Sequence, residues 1–124
     1  MYEDYYLFLD DIRQPGRGRN LNLPPVEWTI VRSYVQFRTT IWNKGIPKFV
    51  SYDHDLADVH YGDSVGNREI AYDKYQEKTG YDCAKFLCNE CFKRNIKHPE
   101  YKIHSMNPVG KFNIESYIKR FNEL

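Results

Sequence analysis

The segment Tyr5-Tyr6-Leu7-Phe8-Leu9-Asp10-Asp11 gives the strongest indication of the fold class of this chain. Its apolar residues run without interruption, so both faces of the segment are expected to be buried. A run that is apolar on both faces is typical of a central strand in a parallel sheet. Because it ends in two carboxylates, this strand also predicts polar chemistry at its carboxyl end.

Working outward, apolar segments and helical patterns alternate along the rest of the chain. The first connection contains Pro15-Gly16-Arg17-Gly18 and is interpreted as a loop. The order strand, loop, strand, helix, strand, helix, strand, helix predicts an α/β protein with right-handed crossovers. We expect a three-layer flavodoxin- or receiver-like sandwich, with a mainly parallel sheet of about four strands in the order 2-1-3-4. The later strands are predicted at Glu27–Val31, Lys48–Tyr52 and Tyr101–His104, and the helices at 33–44, from Thr79 or Asp82 to about Asn95, and from about Asn113.

Composition excludes several classes of protein. The chain has 124 residues, 18 Lys and Arg against 17 Asp and Glu, and a formal net charge of +1. This balance gives no strong nucleic-acid-binding signal. No apolar run approaches the roughly 20 residues of a membrane span, and the acidic start of the chain does not resemble a signal peptide. We therefore expect a single cytoplasmic domain over residues 1–124, with no membrane partner and an undetermined oligomeric state.

Two features have competing interpretations. Cys88-x-x-Cys91 has the spacing of a redox or zinc half-site, but Ala84, Leu87, Cys88 and Cys91 also form the buried stripe of a helix. The helical core is the favoured reading, because no second Cys/His pair has matching spacing. The long polar stretch at 57–78 is predicted to be a substrate-covering lid or an insertion, with a short helix around 70–77.

Polar clusters follow three of the four predicted strands. In an open parallel sheet, ligands bind outside the carboxyl ends of the strands. Since strands 1, 3 and 4 should be neighbours, their clusters are expected to meet in one pocket. The clusters are Asp10 and Asp11, then Asp53, His54 and Asp55, and finally His104, Ser105 and Asn107.

The residue types in these clusters suggest metal and acid–base chemistry. Asp10, Asp11 and Asp53 are the best candidates to bind Mg²⁺, or Mn²⁺ where a histidine also joins. A free histidine side chain titrates near neutrality, so His54 and His104 are candidate general acids or bases. Asp11 and Asp53 complete the candidate catalytic set.

Other residues are candidates for binding a phosphate. The backbone N–H groups from Asn107 to Gly110 lie near a helix start, and Arg13 follows the first strand. Arg17 and Arg19 are weighed equally between phosphate binding and solvated surface. His60 and His98 are interpreted as structural. The predicted substrate-binding residues are Arg13, Asp55, Ser105, Asn107 and Gly110.

Four segments in order along the chain resemble the cyclic-phosphate-processing receiver-like domain family. The first is Leu7–Pro15, which contains Asp-Asp-x-Arg-x-Pro, and the second is Ser51–Leu56, which contains Asp-His-Asp-Leu. The third is Thr79–Asp82, and the fourth is His104–Gly110, which contains His-Ser-x-Asn-Pro-x-Gly. The resemblance implies a receiver-type fold of bacteria and their phages that acts on cyclic phosphates such as ADP-ribose cyclic phosphate. It implies a pocket formed by Asp10, Asp11, Arg13, Asp53, His54, Asp55, His104, Ser105 and Asn107.

Three functional hypotheses remain open at this point. The first is a phosphoesterase, a hydrolase that opens a cyclic phosphate on a small nucleotide-like metabolite. The second is a degenerate receiver acting as a regulatory module, and the third is a protein that sequesters a nucleotide without cleaving it. Signalling receivers are a more distant resemblance. Asp10, Asp11, Asp53 and Ser105 fit their pattern, but the fifth strand and its Lys are missing.

Overall fold

The computed structural model of the chain describes residues 2–11, 15, 23–53, 79–105 and 107–124. The order of elements in this part agrees with the order predicted from the sequence, and the predicted strand ends differ by one or two residues. The strands are β1 (Glu3–Leu9), β2 (Trp28–Val31), β3 (Pro47–Tyr52) and β4 (Glu100–Ile103), and the helices are α1 (Tyr34–Lys44), α2 (Gly80–Lys93) and α3 (Pro108–Asn122).

The four strands form one parallel sheet in the order β2-β1-β3-β4, which confirms the predicted topology. The register aligns their carboxyl ends. Leu9 lies opposite Val31 on one side and Tyr52 on the other, and Tyr52 lies opposite Ile103. The residues that follow these positions therefore emerge together at one edge of the sheet.

The three described helices share one core against one face of this sheet. Successive side chains of a strand point to opposite faces, so Leu7 and Leu9 contact the helices while Phe8 points away from them. Phe8 is nevertheless fully buried. The predicted third layer, on the face that carries Phe8, falls outside the described residues. The helical core includes Leu7, Leu9, Val50, Tyr52, Phe37, Ile41, Leu87, Ile114 and Ile118.

Helix α1 begins and ends where its sequence predicts. The Ser33 side chain accepts a hydrogen bond from the Gln36 backbone N–H at 3.2 Å, as an N-cap should. The Gln36 side chain accepts from Arg32 N, at 2.7 Å, so the reciprocal bond reaches one residue earlier than in a capping box. Gly45 ends the helix with φ at +94°, a conformation that L side chains rarely adopt.

Helix α2 confirms the core reading of the cysteines. All three cysteines are free and buried, and burial raises the pKa of the Cys88 and Cys91 thiols to about 12. Such thiols stay protonated at neutral pH and are poor nucleophiles and metal ligands. The helix is capped by Thr79, whose backbone N–H donates to the Asp82 side chain at 2.8 Å.

Helix α3 begins at Pro108, five residues before the predicted start at Asn113. The prediction treated the segment from Ser105 to Gly110 as a turn. The structure shows Asn107 as the N-cap and Pro108 in the first turn, where its missing N–H costs nothing. Ile114 and Ile118 form the buried stripe as expected.

Two predictions lie outside the described residues: the lid or insertion at 57–78 with its helix at 70–77, and the loop that contains Arg17 and Arg19. His60 also lies there. Among the helices that the structure describes, none is both long and apolar enough to span a membrane.

Candidate functional site

Backbone hydrogen bonds between strands carry three acidic or basic side chains to the same edge of the sheet. Asp10 N–H donates to Val31 O at 3.2 Å, and Asp53 N–H donates to Leu9 O at 3.0 Å. His104 N–H donates to Tyr52 O at 2.8 Å. These bonds continue the parallel ladders by one residue beyond the strands. They therefore fix the backbone positions of Asp10, Asp53 and His104 at the carboxyl edge of the sheet.

A hydrogen-bonded chain of side chains crosses the sheet at this edge. His104 Nε2 lies 2.9 Å from Asp10 Oδ2, and His104 Nδ1 lies 2.6 Å from Ser51 Oγ. The chain thus joins β3, the residue after β4 and the residue after β1. Both ring nitrogens of His104 already contact protein groups.

This chain is buried. The His104 side chain is 1% exposed and the Asp10 side chain 0% exposed. The imidazole stacks on the Phe8 ring with centroids 4.7 Å apart and planes 2° from parallel. Since a hydrogen bond is stronger away from water, burial strengthens the contact between His104 and Asp10.

Asp53 lies close enough to complete a group of metal donors. Asp10, Asp53 and His104 each offer one donor atom, and the three atoms lie within 4.8 Å of one another. Two carboxylates with an imidazole are a donor set that fits Mn²⁺, and the carboxylates alone fit Mg²⁺. Asp11 is half-buried and does not join this group, so its role as a metal ligand stays a prediction.

Two site residues were missed by the sequence analysis. Ser51 was treated as part of a strand, although a hydroxyl in an otherwise apolar strand is a signal for a buried polar contact. Arg32 follows β2, and its Nη1 donates to the Asp10 backbone carbonyl at 3.0 Å. A cation directly after the second strand could have been counted with the other polar strand ends, and it brings a positive charge to the edge that holds the carboxylates.

The predicted phosphate-binding turn serves chiefly to begin α3. Asn107 N–H donates to Ser105 Oγ at 3.0 Å, and Gly110 N–H donates to Asn107 Oδ1 at 2.9 Å. Pro108 has no N–H. The Gly110 N–H is bonded to the Asn107 side chain, and the role of Gly110 in binding a substrate stays a prediction.

Part of the predicted pocket lies outside the described residues. Arg13, His54 and Asp55 are in that part, so their roles stay predictions. Of the two histidines predicted to exchange protons, the structure describes His104.

His98, interpreted as structural, is buried in the helical core. Its Nε2 lies 2.8 Å from the Tyr52 hydroxyl, and its Nδ1 lies 2.7 Å from the Pro99 carbonyl oxygen. Burial lowers the pKa of His98 to about 4. The ring is therefore neutral near pH 7 and acts as a hydrogen-bonded strut within the core.

Comparison with known proteins gives one match. The family model of the cyclic-phosphate processing receiver domain matches residues 5–120. No curated protein and no solved structure matches the chain. The match covers almost the whole sequence, from within β1 to within α3, and includes the clustered carboxylates and histidine at the strand ends. The chain belongs to the family of cyclic-phosphate processing receiver domains.

Proposed function

We propose that this protein is a phosphoesterase that opens a cyclic phosphate on a small nucleotide-like metabolite, such as ADP-ribose cyclic phosphate. The observation that carries the proposal is the buried group of Asp10, Asp53 and His104 at the carboxyl ends of adjacent parallel strands. Membership in the family supports the choice of a cyclic phosphate as the substrate.

A divalent cation fits this group. Asp10 and Asp53 would hold Mg²⁺ or Mn²⁺, and His104 lies beside them. When bound, such an ion polarises a phosphoryl oxygen and lowers the pKa of a bound water. Two neighbouring carboxylates cannot both ionise cheaply without a positive charge nearby, which is a further reason to expect a cation here.

Ring opening requires balanced movement of one proton. Water adds to phosphorus, the bond from phosphorus to one ribose oxygen breaks, and the proton lost by the water ends on that oxygen. We assign proton transfer at the substrate to His54 with Asp11 or Asp53, because both nitrogens of His104 are already hydrogen-bonded. His104 orients Asp10 instead.

Cationic and polar groups around this edge are proposed to bind the phosphate oxygens. Arg13 remains a candidate from the sequence, and Arg32 is added because its guanidinium reaches the Asp10 carbonyl. Ser105 and Asn107 follow β4 at the same edge. Asp55 is retained as a candidate substrate contact.

A phospho-accepting switch is less well supported. Signalling receivers, to which the chain also bears a distant resemblance, place a Lys after a fifth strand. Within the described residues the sheet has four strands, and α3 begins at Pro108, shortly after β4 ends. A regulatory or sequestering module therefore stands as the alternative outcome of the test.

Turnover of cyclic phosphates tests the proposal directly. The purified protein is incubated with a panel of cyclic phosphates, including ADP-ribose cyclic phosphate, with Mg²⁺, with Mn²⁺ and with EDTA, and followed by phosphorus NMR. We expect ring opening by the wild type and a loss of at least about 100-fold in Asp10→Asn. Asp4→Asn is the matched control, because Asp4 is an exposed carboxylate near the other end of β1, and it should keep full turnover.

Each other outcome has a defined meaning. Asp53→Asn replaces Asp10→Asn if the latter does not fold, as judged by circular dichroism. Folded wild type that leaves every cyclic phosphate unchanged contradicts the proposal. Stoichiometric binding of an unchanged ligand would then indicate sequestration, and a stable label on Asp53 from acetyl phosphate would indicate a switch. Turnover that is unchanged by EDTA would show that the reaction does not require a divalent cation.

A further inference from the structure

The directions of the two hydrogen bonds of His104 depend on its tautomer, and they follow if Asp10 is ionised and the ring is neutral. An ionised carboxylate only accepts hydrogen bonds, so the ring nitrogen facing Asp10 must carry a proton. That nitrogen is Nε2. In a neutral imidazole the other nitrogen is then an acceptor, and Nδ1 faces the Ser51 hydroxyl at 2.6 Å. The hydroxyl therefore donates to Nδ1.

We propose that Ser51 is a positioning residue that holds His104 in the orientation in which Nε2–H is donated to Asp10. The proposal rests on the function proposed above, since it concerns the same carboxylate. It makes His104 an internal support of Asp10. It also leaves the metal to the carboxylates, because a protonated Nε2 has no lone pair for an ion.

Burial explains why the hydroxyl matters. Ser51 is fully buried, and an imidazole nitrogen deprived of its partner in this place would be a costly unsatisfied group. Phe8 stacks on the face of the imidazole, and this contact is the same for either orientation of the ring nitrogens. The Ser51 bond distinguishes Nδ1 from Cδ2, just as the Asp10 bond distinguishes Nε2 from Cε1, so the two bonds together oppose a flip of the ring.

His98 provides an internal reference for this assignment. Its Nδ1 faces the Pro99 carbonyl, which only accepts hydrogen bonds, so Nδ1 carries the proton. Its Nε2 then accepts from the Tyr52 hydroxyl. His98 and His104 are thus expected to be opposite tautomers in one molecule.

Nitrogen NMR of the imidazole rings tests the proposal without any substrate. The full-length protein is labelled with nitrogen-15 histidine and measured in mildly alkaline buffer, where ordinary imidazoles are neutral. We expect His104 to be protonated at Nε2 and His98 at Nδ1. Addition of Mg²⁺ should leave the protonation of His104 unchanged. A wild-type His104 protonated at Nδ1, or an Nε2 that loses its proton with Mg²⁺, overturns the proposal.

Neighbouring hydroxyl deletions provide matched variants. Ser51→Ala should move the Nδ1 resonance of His104 and leave His98 unchanged, whereas Tyr52→Phe should move only the Nε2 resonance of His98. With a cyclic phosphate that the wild type opens, Ser51→Ala should lower kcat by about 10- to 100-fold with little change in KM, as loss of an orienting contact does. Ser51→Thr keeps the hydroxyl and should restore turnover.

The controls keep the two proposals separable. If Ser51→Thr does not fold, Ser51→Cys supplies a weaker donor of similar size and should give intermediate turnover. A Ser51→Ala variant with an unchanged Nδ1 resonance refutes the positioning role even if the wild type is active. A wild type without turnover refutes the proposed function, while the nitrogen spectra still decide the role of Ser51.

Discussion

His98 and His104, the two histidines among the described residues, lie on opposite faces of one sheet and contact neighbouring residues of β3. Ser51 contacts His104 on one face, and Tyr52 contacts His98 on the other, as the alternation of side chains along a strand requires. Each ring therefore has a hydroxyl on one nitrogen and an acceptor on the other. The acceptor is the carboxylate of Asp10 in one case and a backbone carbonyl in the other.

This difference separates a histidine of the candidate site, His104, from a structural histidine, His98. The partner of His104 is a carboxylate at the carboxyl edge of the sheet, where a parallel α/β sheet binds its ligands. The partners of His98 lie in the helical core, so changes in that ring affect the fold. Burial alone does not distinguish the two histidines, since both are nearly inaccessible. Position along the strands does.

The largest expected effect is on stability as the pH falls, and it concerns His98. Its pKa is lowered from 6.5 to about 4 in the folded protein, so between these values the unfolded chain binds a proton that the fold does not. Stability is therefore fully present above pH 6.5 and is lost as the pH falls towards 4, by about 3 kcal/mol. Urea unfolding at a series of pH values measures this loss. This loss of unfolding free energy between pH 6.5 and 4 should disappear in His98→Gln. An unchanged pH dependence of stability in that variant would show that His98 is not its cause.

Exchange of each histidine for glutamine should separate activity from stability. His104→Gln should reduce turnover of the cyclic phosphate by about 10- to 100-fold, because Asp10 loses its orienting partner. His98→Gln should keep turnover per folded molecule and lose about 1–3 kcal/mol of stability, because it disturbs two buried hydrogen bonds. Activity assays on folded protein and urea unfolding provide the two readouts. Equal losses of turnover in the two variants would break the comparison.

The smallest expected effects concern the N-caps of two helices, where a structural role and a substrate-binding role can be separated in the same way. Thr79→Ala and Asn107→Ala each remove an N-cap and should cost about 1 kcal/mol of stability, measured by urea unfolding. Asn107→Asp keeps a good cap but places a negative charge at the carboxyl edge, so it should raise KM for a phosphate substrate while stability is retained. If Asn107→Asp leaves KM unchanged, Asn107 is a cap and not a substrate contact.

Much of the fold followed from local patterns. The uninterrupted apolar run before Asp10 and the alternation of strands with helices were enough to predict the parallel sheet and its strand order. The helical spacing of Cys88 and Cys91 predicted their burial. The start of α3 was misplaced, because Asn107-Pro108 is compatible with both a turn and a capped helix, and the difference depends on how the following turn packs.

Sequence patterns alone identify the residues at the carboxyl ends of the strands, because strand ends are marked by a change from apolar to polar side chains. From this it follows that Asp10, Asp53 and His104 converge. The folded structure is needed to identify which atoms pair across the sheet. The bond from Ser51 to His104 and the bond from Gly110 to the Asn107 side chain depend on strand register and ring orientation, which set distances between residues far apart in sequence. A residue pattern predicts which face of a strand or helix is buried and where the element ends. It does not predict which side chains form a hydrogen bond, because that depends on distances and angles that the folded structure sets.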